Sequence, residues 1–361
     1  MNNRIVGIDV IKGISIMLVV IYHTITSSYI SPVQFLDFLS AFLLNAFFFA
    51  AGWVYAYSKN NNNYKTKIKR KIIALGIPYI LLSVFAIVYQ FIVGTVFGNN
   101  FISDTYHGKQ LLLRNLYCAF SLTGIGTLWF LPVILIANIV LIYLIKKTEK
   151  CKNQTLIMGL VCLIMYLFYV FVICRIDINI TNTTSKIIFE EVRFLDRIVI
   201  GCVYIVMGYI ANKILSKLNF GNIANLFIGV AFLVLGAVLY HFELEFYKVL
   251  YTLAETLIII HLCNYRWAAI LTKPVSYLGE NSLYIMVIHY IFVQPVVMKM
   301  IWGSYYFMNT PLFTKRIVLF FVVLAVTLII TEIGKRVDDI LFLFGKGERF
   351  KELQKRILRR S

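Results

Sequence analysis

The chain has 361 residues, 60% of them hydrophobic and only 14% charged, with 35 basic against 17 acidic side chains and a net charge of +18. A soluble globular protein is about 45–50% apolar and about 25% charged, so a water-soluble enzyme of this length is excluded. With 20 glycines and 6 prolines, a fibrous or disordered chain is excluded too, and a mean hydropathy of +0.81 leaves an all-α polytopic membrane protein.

A helix needs about 20 mostly apolar residues to cross roughly 30 Å of hydrocarbon. Ten runs qualify: 7–28, 36–57, 73–97, 126–145, 154–174, 197–214, 222–240, 247–264, 282–302 and 314–334. They are apolar all round rather than alternating, which selects helices over the strands of a barrel. The segment 175–196 reads as a long, partly apolar loop, and 265–281 as a connection. Basic residues divide 25 to 10 between alternate connecting segments, which places both termini in the cytoplasm by the positive-inside rule. Residues 1–334 then form a transmembrane domain. Residues 335–361 form a basic cytoplasmic tail, either lying on an anionic inner leaflet or solvated.

Polar residues within spans mark candidate sites, because each is costly unless paired. In the first span, Lys12 and His23 are eleven residues apart. At about 100° and 1.5 Å per residue, both fall on one face about 16 Å apart. Asp9 precedes Lys12 by three and can pair with it. Lys12 reads either as a cationic inner mouth or as a snorkelling interface residue. His23 reads either as a catalytic base or as a group bonded to a neighbouring helix.

Next, the run Lys65 to Lys71, including Lys67 and Arg70, precedes the third span. It reads as orientation charge or as a phosphate site. Trp129 opens the fourth span, where an aromatic anchor is common. Glu255 is central in the eighth span and His289 lies in the ninth, after Asn281 and Ser282, either of which can cap that helix. Each is a paired structural group or a functional one. Six scattered cysteines without a C-x-x-C pair, and no Cys/His ligand spacing, give no metal site. No feature points to nucleic acid.

Taken in order, these segments resemble the membrane acyltransferase 3 family. The residues that carry the resemblance are Asp9-Val-Ile-Lys12-Gly with His23, Phe47-Phe-Phe-Ala-Ala-Gly52, Lys67-Ile-Lys-Arg70 before Pro78-Tyr79, Leu128-Trp-Phe-Leu-Pro132, Met207-Gly-Tyr209, and Leu278-Gly-Glu-Asn-Ser-Leu-Tyr284 followed by His289. The resemblance implies a multi-pass protein of the bacterial cytoplasmic membrane. It also implies transfer of an acyl group, usually acetyl from cytosolic acetyl-CoA, to a hydroxyl of a cell-surface polysaccharide or lipid-linked sugar. Acetyl-CoA is a substrate in this scheme and no cofactor is permanently bound.

The family's basic residue and histidine of the first span map to Lys12 and His23, and its paired basic element for the donor maps to Lys67 and Arg70. Two of these positions depart from the family's arginine, since Lys12 and Lys67 keep the charge but lack the guanidinium fork. His23 is then a general base or a covalent acyl carrier. Glu255, His289, Trp129 and Asn45 are candidates to orient His23 or the acceptor, with Asn45, Tyr22 and backbone groups open as oxyanion donors. A transporter or flippase is the other function class that ten spans and buried polar residues fit; it predicts repeated halves, and none is visible in the sequence.

Overall fold

The computed structural model describes residues 6–25, 44–57, 63–98, 101, 106–180, 183–218, 222–242, 244–263, 265 and 268–359. Every regular element among them is helical. In chain order these are α1 (Val6–Ile25), α2 (Asn45–Ala56) and α3 (Tyr64–Val96), the last containing a π-helical turn at Ile72–Gly76. Then come α4 (Gly108–Phe120), a 3-10 turn (Gly126–Trp129), α5 (Phe130–Thr148), α6 (Gln154–Phe171), α7 (Thr183–Leu218) and α8 (Asn222–His241). α9 (Tyr247–Leu262), α10 (Ala269–Glu280) and α11 (Ser282–Gly303) follow, and α11 contains a second π turn at His289–Val293. The chain closes with α12 (Leu312–Gly334), α13 (Asp338–Leu343) and α14 (Gly347–Arg359).

Eight of these helices, among the described residues, are long and apolar enough to cross a membrane: α1, α3, α5 with its 3-10 turn, α6, α7, α8, α11 and α12. The architecture is that of an all-α polytopic membrane protein. The other two expected spans are helical but shorter, with 12 residues in α2 and 16 in α9. Residues 26–28 of the first expected span and 36–43 of the second lie outside the described residues.

Three connections between the expected spans hold helix. The loop expected at 175–196 is helical from Thr183, so α7 runs for 36 residues. That is about 54 Å, well beyond the hydrocarbon thickness. Neither Gly nor Pro interrupts residues 183–200, and Lys186 with Glu190 stands at helical i,i+4 spacing, so a charged stretch continues the helix. The stretch between the third and fourth spans holds α4, whose Leu111, Asn115 and Cys118 make one buried face. Residues expected as a connection before the ninth span form α10. Asn281 closes that helix rather than opening the next, donating its side-chain amide to Tyr277 O at 2.9 Å.

The chain divides into two compact units: Met1–Leu18 with Ser31–Tyr64 and Ile136–Ser282, and Val19–Ile30 with Lys65–Leu135 and Leu283–Ser361. In the first unit two helix crossings are set by glycines. A Cβ on Gly52 would lie 1.8 Å from Ile205 O, and one on Gly208 would lie 2.0 Å from Phe49 O, so α2 and α7 meet backbone to backbone. α1 and α10 do the same through Gly13, 1.9 Å from Val275 O, and Gly279, 1.8 Å from Asp9 O. Among apolar helices such close approach supplies the dispersion contact that burial from water supplies in a soluble core.

In the second unit both π turns end just before a proline, Pro78 in α3 and Pro295 in α11. Proline offers no N–H to the carbonyl four residues back and clashes with it. A wider turn absorbs the misfit. The C-terminal segment folds onto this unit. Phe350 is buried in α14, while Lys351, Lys355 and Arg356 of that helix stay exposed. Lys69 Nζ donates to Ile357 O at 3.0 Å, tying α14 to the basic start of α3.

Candidate active site

His23 lies in the last described turn of α1. Side chains from two other helices of the second unit bond its carbonyl and that of Thr24. Gln294 Nε2 donates to His23 O at 2.7 Å, and Arg316 Nη1 donates to Thr24 O at 3.1 Å. Arg316 is only 9% exposed, and its guanidinium stands 5.4 Å from the centroid of the Trp302 ring. A buried cation at a helix C-terminus also complements the helix dipole.

His289 faces this end of α1. Its ring centroid is 5.5 Å from that of His23, and the Tyr290 ring is 4.5 Å from His23. His289 Nδ1 is 2.7 Å from Ile285 O. A carbonyl oxygen only accepts, so Nδ1 carries the proton and Nε2 keeps its lone pair. His289 is fully buried, and its Nε2 has no hydrogen-bond partner among the described residues. The Oε1 of buried Gln294 is likewise without one. Both are acceptors, and a buried acceptor left unpaired is costly. Either can accept a hydrogen bond from a hydroxyl or amide donor.

The π turn explains why these two residues act together. Gln294 is five positions after His289, which in an α-helix places it about 140° round the axis. Here the backbone N–H of Gln294 bonds His289 O, the i→i+5 pattern, and the wider turn brings Gln294 back over His289. Carbonyls around this turn are held by side chains. Thr127 donates to Met286 O at 2.8 Å and Tyr89 to Phe292 O at 3.3 Å. The 3-10 turn carrying Thr127 comes close because Gly126 lacks a side chain: a Cβ there would lie 3.1 Å from the Tyr290 ring.

The sequence candidates divide between the units. His23, His289, Trp129, Lys67 and Arg70 belong to the second, and of these the structure brings His23 and His289 together. Lys67 and Arg70 share a face of the first turns of α3, with Arg70 exposed. Trp129 ends the 3-10 turn, its backbone packed on Gly124, where a Cβ would lie 2.2 Å from Trp129 N. Lys12, Asn45 and Glu255 belong to the first unit. Lys12 Nζ donates to Asp9 Oδ1 at 3.0 Å, the pairing their spacing predicts. Asn45 begins α2, and Glu255 lies within α9 with Oε2 buried and unbonded among the described residues.

Sequence reasoning missed Tyr290, Gln294 and Arg316. An arginine two positions inside an expected span was the available signal for the last. Pro295 within an expected span was the signal for the turn that places Gln294.

The ordered motifs agree with what comparison with known proteins finds. No curated protein and no solved structure matches the chain. A family model described as an acyltransferase domain matches residues 5–332, nearly the whole length. The chain belongs to the membrane acyltransferase 3 family.

Proposed function

We propose that this membrane acyltransferase moves an acetyl group from cytosolic acetyl-CoA to a hydroxyl of a cell-surface polysaccharide or its lipid-linked precursor, in a bacterial cytoplasmic membrane. The observation that carries the reading is the pair His23 and His289, with ring centroids 5.5 Å apart and a lone pair left open on His289 Nε2. His23 is the general base: it takes the hydroxyl proton as the oxygen attacks the thioester carbonyl. The C–S bond then breaks and the proton passes to the departing thiolate, leaving an ester and free CoA. In the covalent variant the acyl group rests on a His23 nitrogen between two such transfers. His289 orients His23 or the incoming sugar. Lys67 and Arg70, on one helix face, suit the donor's phosphates, and Lys12 adds a further cation on the helix that bears His23. Trp129, Glu255 and Asn45 remain candidate contacts for the acceptor.

The test is His23→Ala, assayed for transfer of label from acetyl-CoA to the glycan fraction of membranes with matched protein amounts. A loss of about 10²- to 10⁴-fold is expected for a positioned base. Undiminished labelling contradicts the assignment. The family match is to an acyltransferase, and nothing in it supports the transport reading.

A further inference from the structure

We infer that Gln294 and Arg316 are positioning residues for His23, acting on the main chain at His23 and at the next residue, Thr24, rather than on the His23 ring. The inference deepens the acyl-transfer reading and rests on it only for the consequence, since the geometry concerns His23 itself. Three observations carry it. The two side chains come from different helices, α11 and α12, and converge on consecutive carbonyls, those of His23 and Thr24. Both side chains are buried, at 7% and 9% exposure, and the Arg316 bond to Thr24 O is itself buried. Gln294 reaches its carbonyl from the residue that ends the π turn beginning at His289.

One backbone irregularity therefore sets two things at once. It places His289 against the ring of His23 and Gln294 against the carbonyl of the same residue. Thr24 adds to the hold by donating its hydroxyl back to Val20 O at 2.7 Å. With backbone and ring both fixed, the imidazole keeps one orientation against Tyr290 and His289. A catalytic group gains most from that kind of restraint, because small misplacements are costly in rate.

The experiment reads His23 directly and needs no acyl donor. Membranes containing the full chain are treated with diethyl pyrocarbonate, which acylates neutral imidazoles. Modification of each histidine is then followed by peptide mass spectrometry in the wild type, Gln294→Met and Arg316→Lys. His261, 3% exposed in the first unit, reports general loosening, and exposed His107 reports reagent strength.

Gln294→Met is expected to raise the His23 rate about fivefold, as for loss of one net hydrogen bond, with His261 and His107 unchanged. Arg316→Lys, which keeps the charge but shortens the reach, is expected to raise it less. An unchanged His23 rate overturns the inference, and so does a rise shared with His261. If Gln294→Met does not accumulate, Arg316→Lys decides by the same two criteria. If His23→Ala leaves transfer intact, the acyl-transfer reading fails, while this measurement still stands or falls on its own.

Discussion

The two units use irregular residues in opposite ways. In the first, glycines remove side chains so that helix backbones touch: α2 on α7 through Gly52 and Gly208, and α1 on α10 through Gly13 and Gly279. In the second, Pro78 and Pro295 follow widened turns, and side chains gather on nearby carbonyls. Tyr89 bonds Phe292 O, Thr127 bonds Met286 O, and Tyr79 bonds Ala119 O at 2.9 Å. The glycine unit gains close packing and has little freedom to adjust. The proline unit gives up regular helix hydrogen bonds and gains buried polar groups between its helices. The paired imidazoles are found there, which fits the tendency of π turns to occur at functional sites.

That contrast can be broken at either end. The largest effect is expected from Gly208→Leu. A carbonyl 2.0 Å from the new Cβ belongs to backbone and has nowhere to go. The cost is about 3 kcal/mol or more, so the monodisperse yield in detergent should collapse; a normal yield would show that the crossing is not tight. Pro295→Ala should act differently. It restores an N–H that can bond Ile291 O, returning α11 to ordinary α-helical register and carrying Gln294 away from His289. Yield should hold while turnover falls roughly tenfold or more through misplacement. Equal turnover would separate the π turn from the chemistry. Arg70→Glu should have the smallest effect, a rise of roughly threefold to tenfold in the donor KM with kcat near normal, because exposed charge contacts are individually weak. An unchanged KM would remove Arg70 from the donor site.

Hydropathy made most of the fold legible, since an apolar run of some 20 residues has few fates other than a helix. It was blind where charge and helix coexist. Residues 183–196 form helix because the i,i+4 pair Lys186–Glu190 and the absence of Gly and Pro support it, while their charge lowers the hydropathy signal. The glycines stood out within motifs, yet their role needed the partner carbonyl to be known. Along α1, the one-face spacing of Lys12 and His23 and the Asp9–Lys12 pair followed from helix periodicity. His289 was visible as a polar residue in a span. Its relation to His23, and the presence of Gln294 and Arg316 beside it, depended on hydrogen-bond register. A one-residue widening of α11 changes which side chains share a face while leaving composition and hydropathy untouched.

The proposed mechanism makes His23 and His289 one reacting centre. A double-mutant cycle tests it most directly: transfer from labelled acetyl-CoA in membranes carrying His23→Ala, His289→Ala, or both. Groups that act as a unit are strongly non-additive. The double variant should therefore be no slower than His23→Ala alone, with His289→Ala already well below the wild type. Losses that multiply in the double variant, or a His289→Ala enzyme at full rate, would contradict the claim.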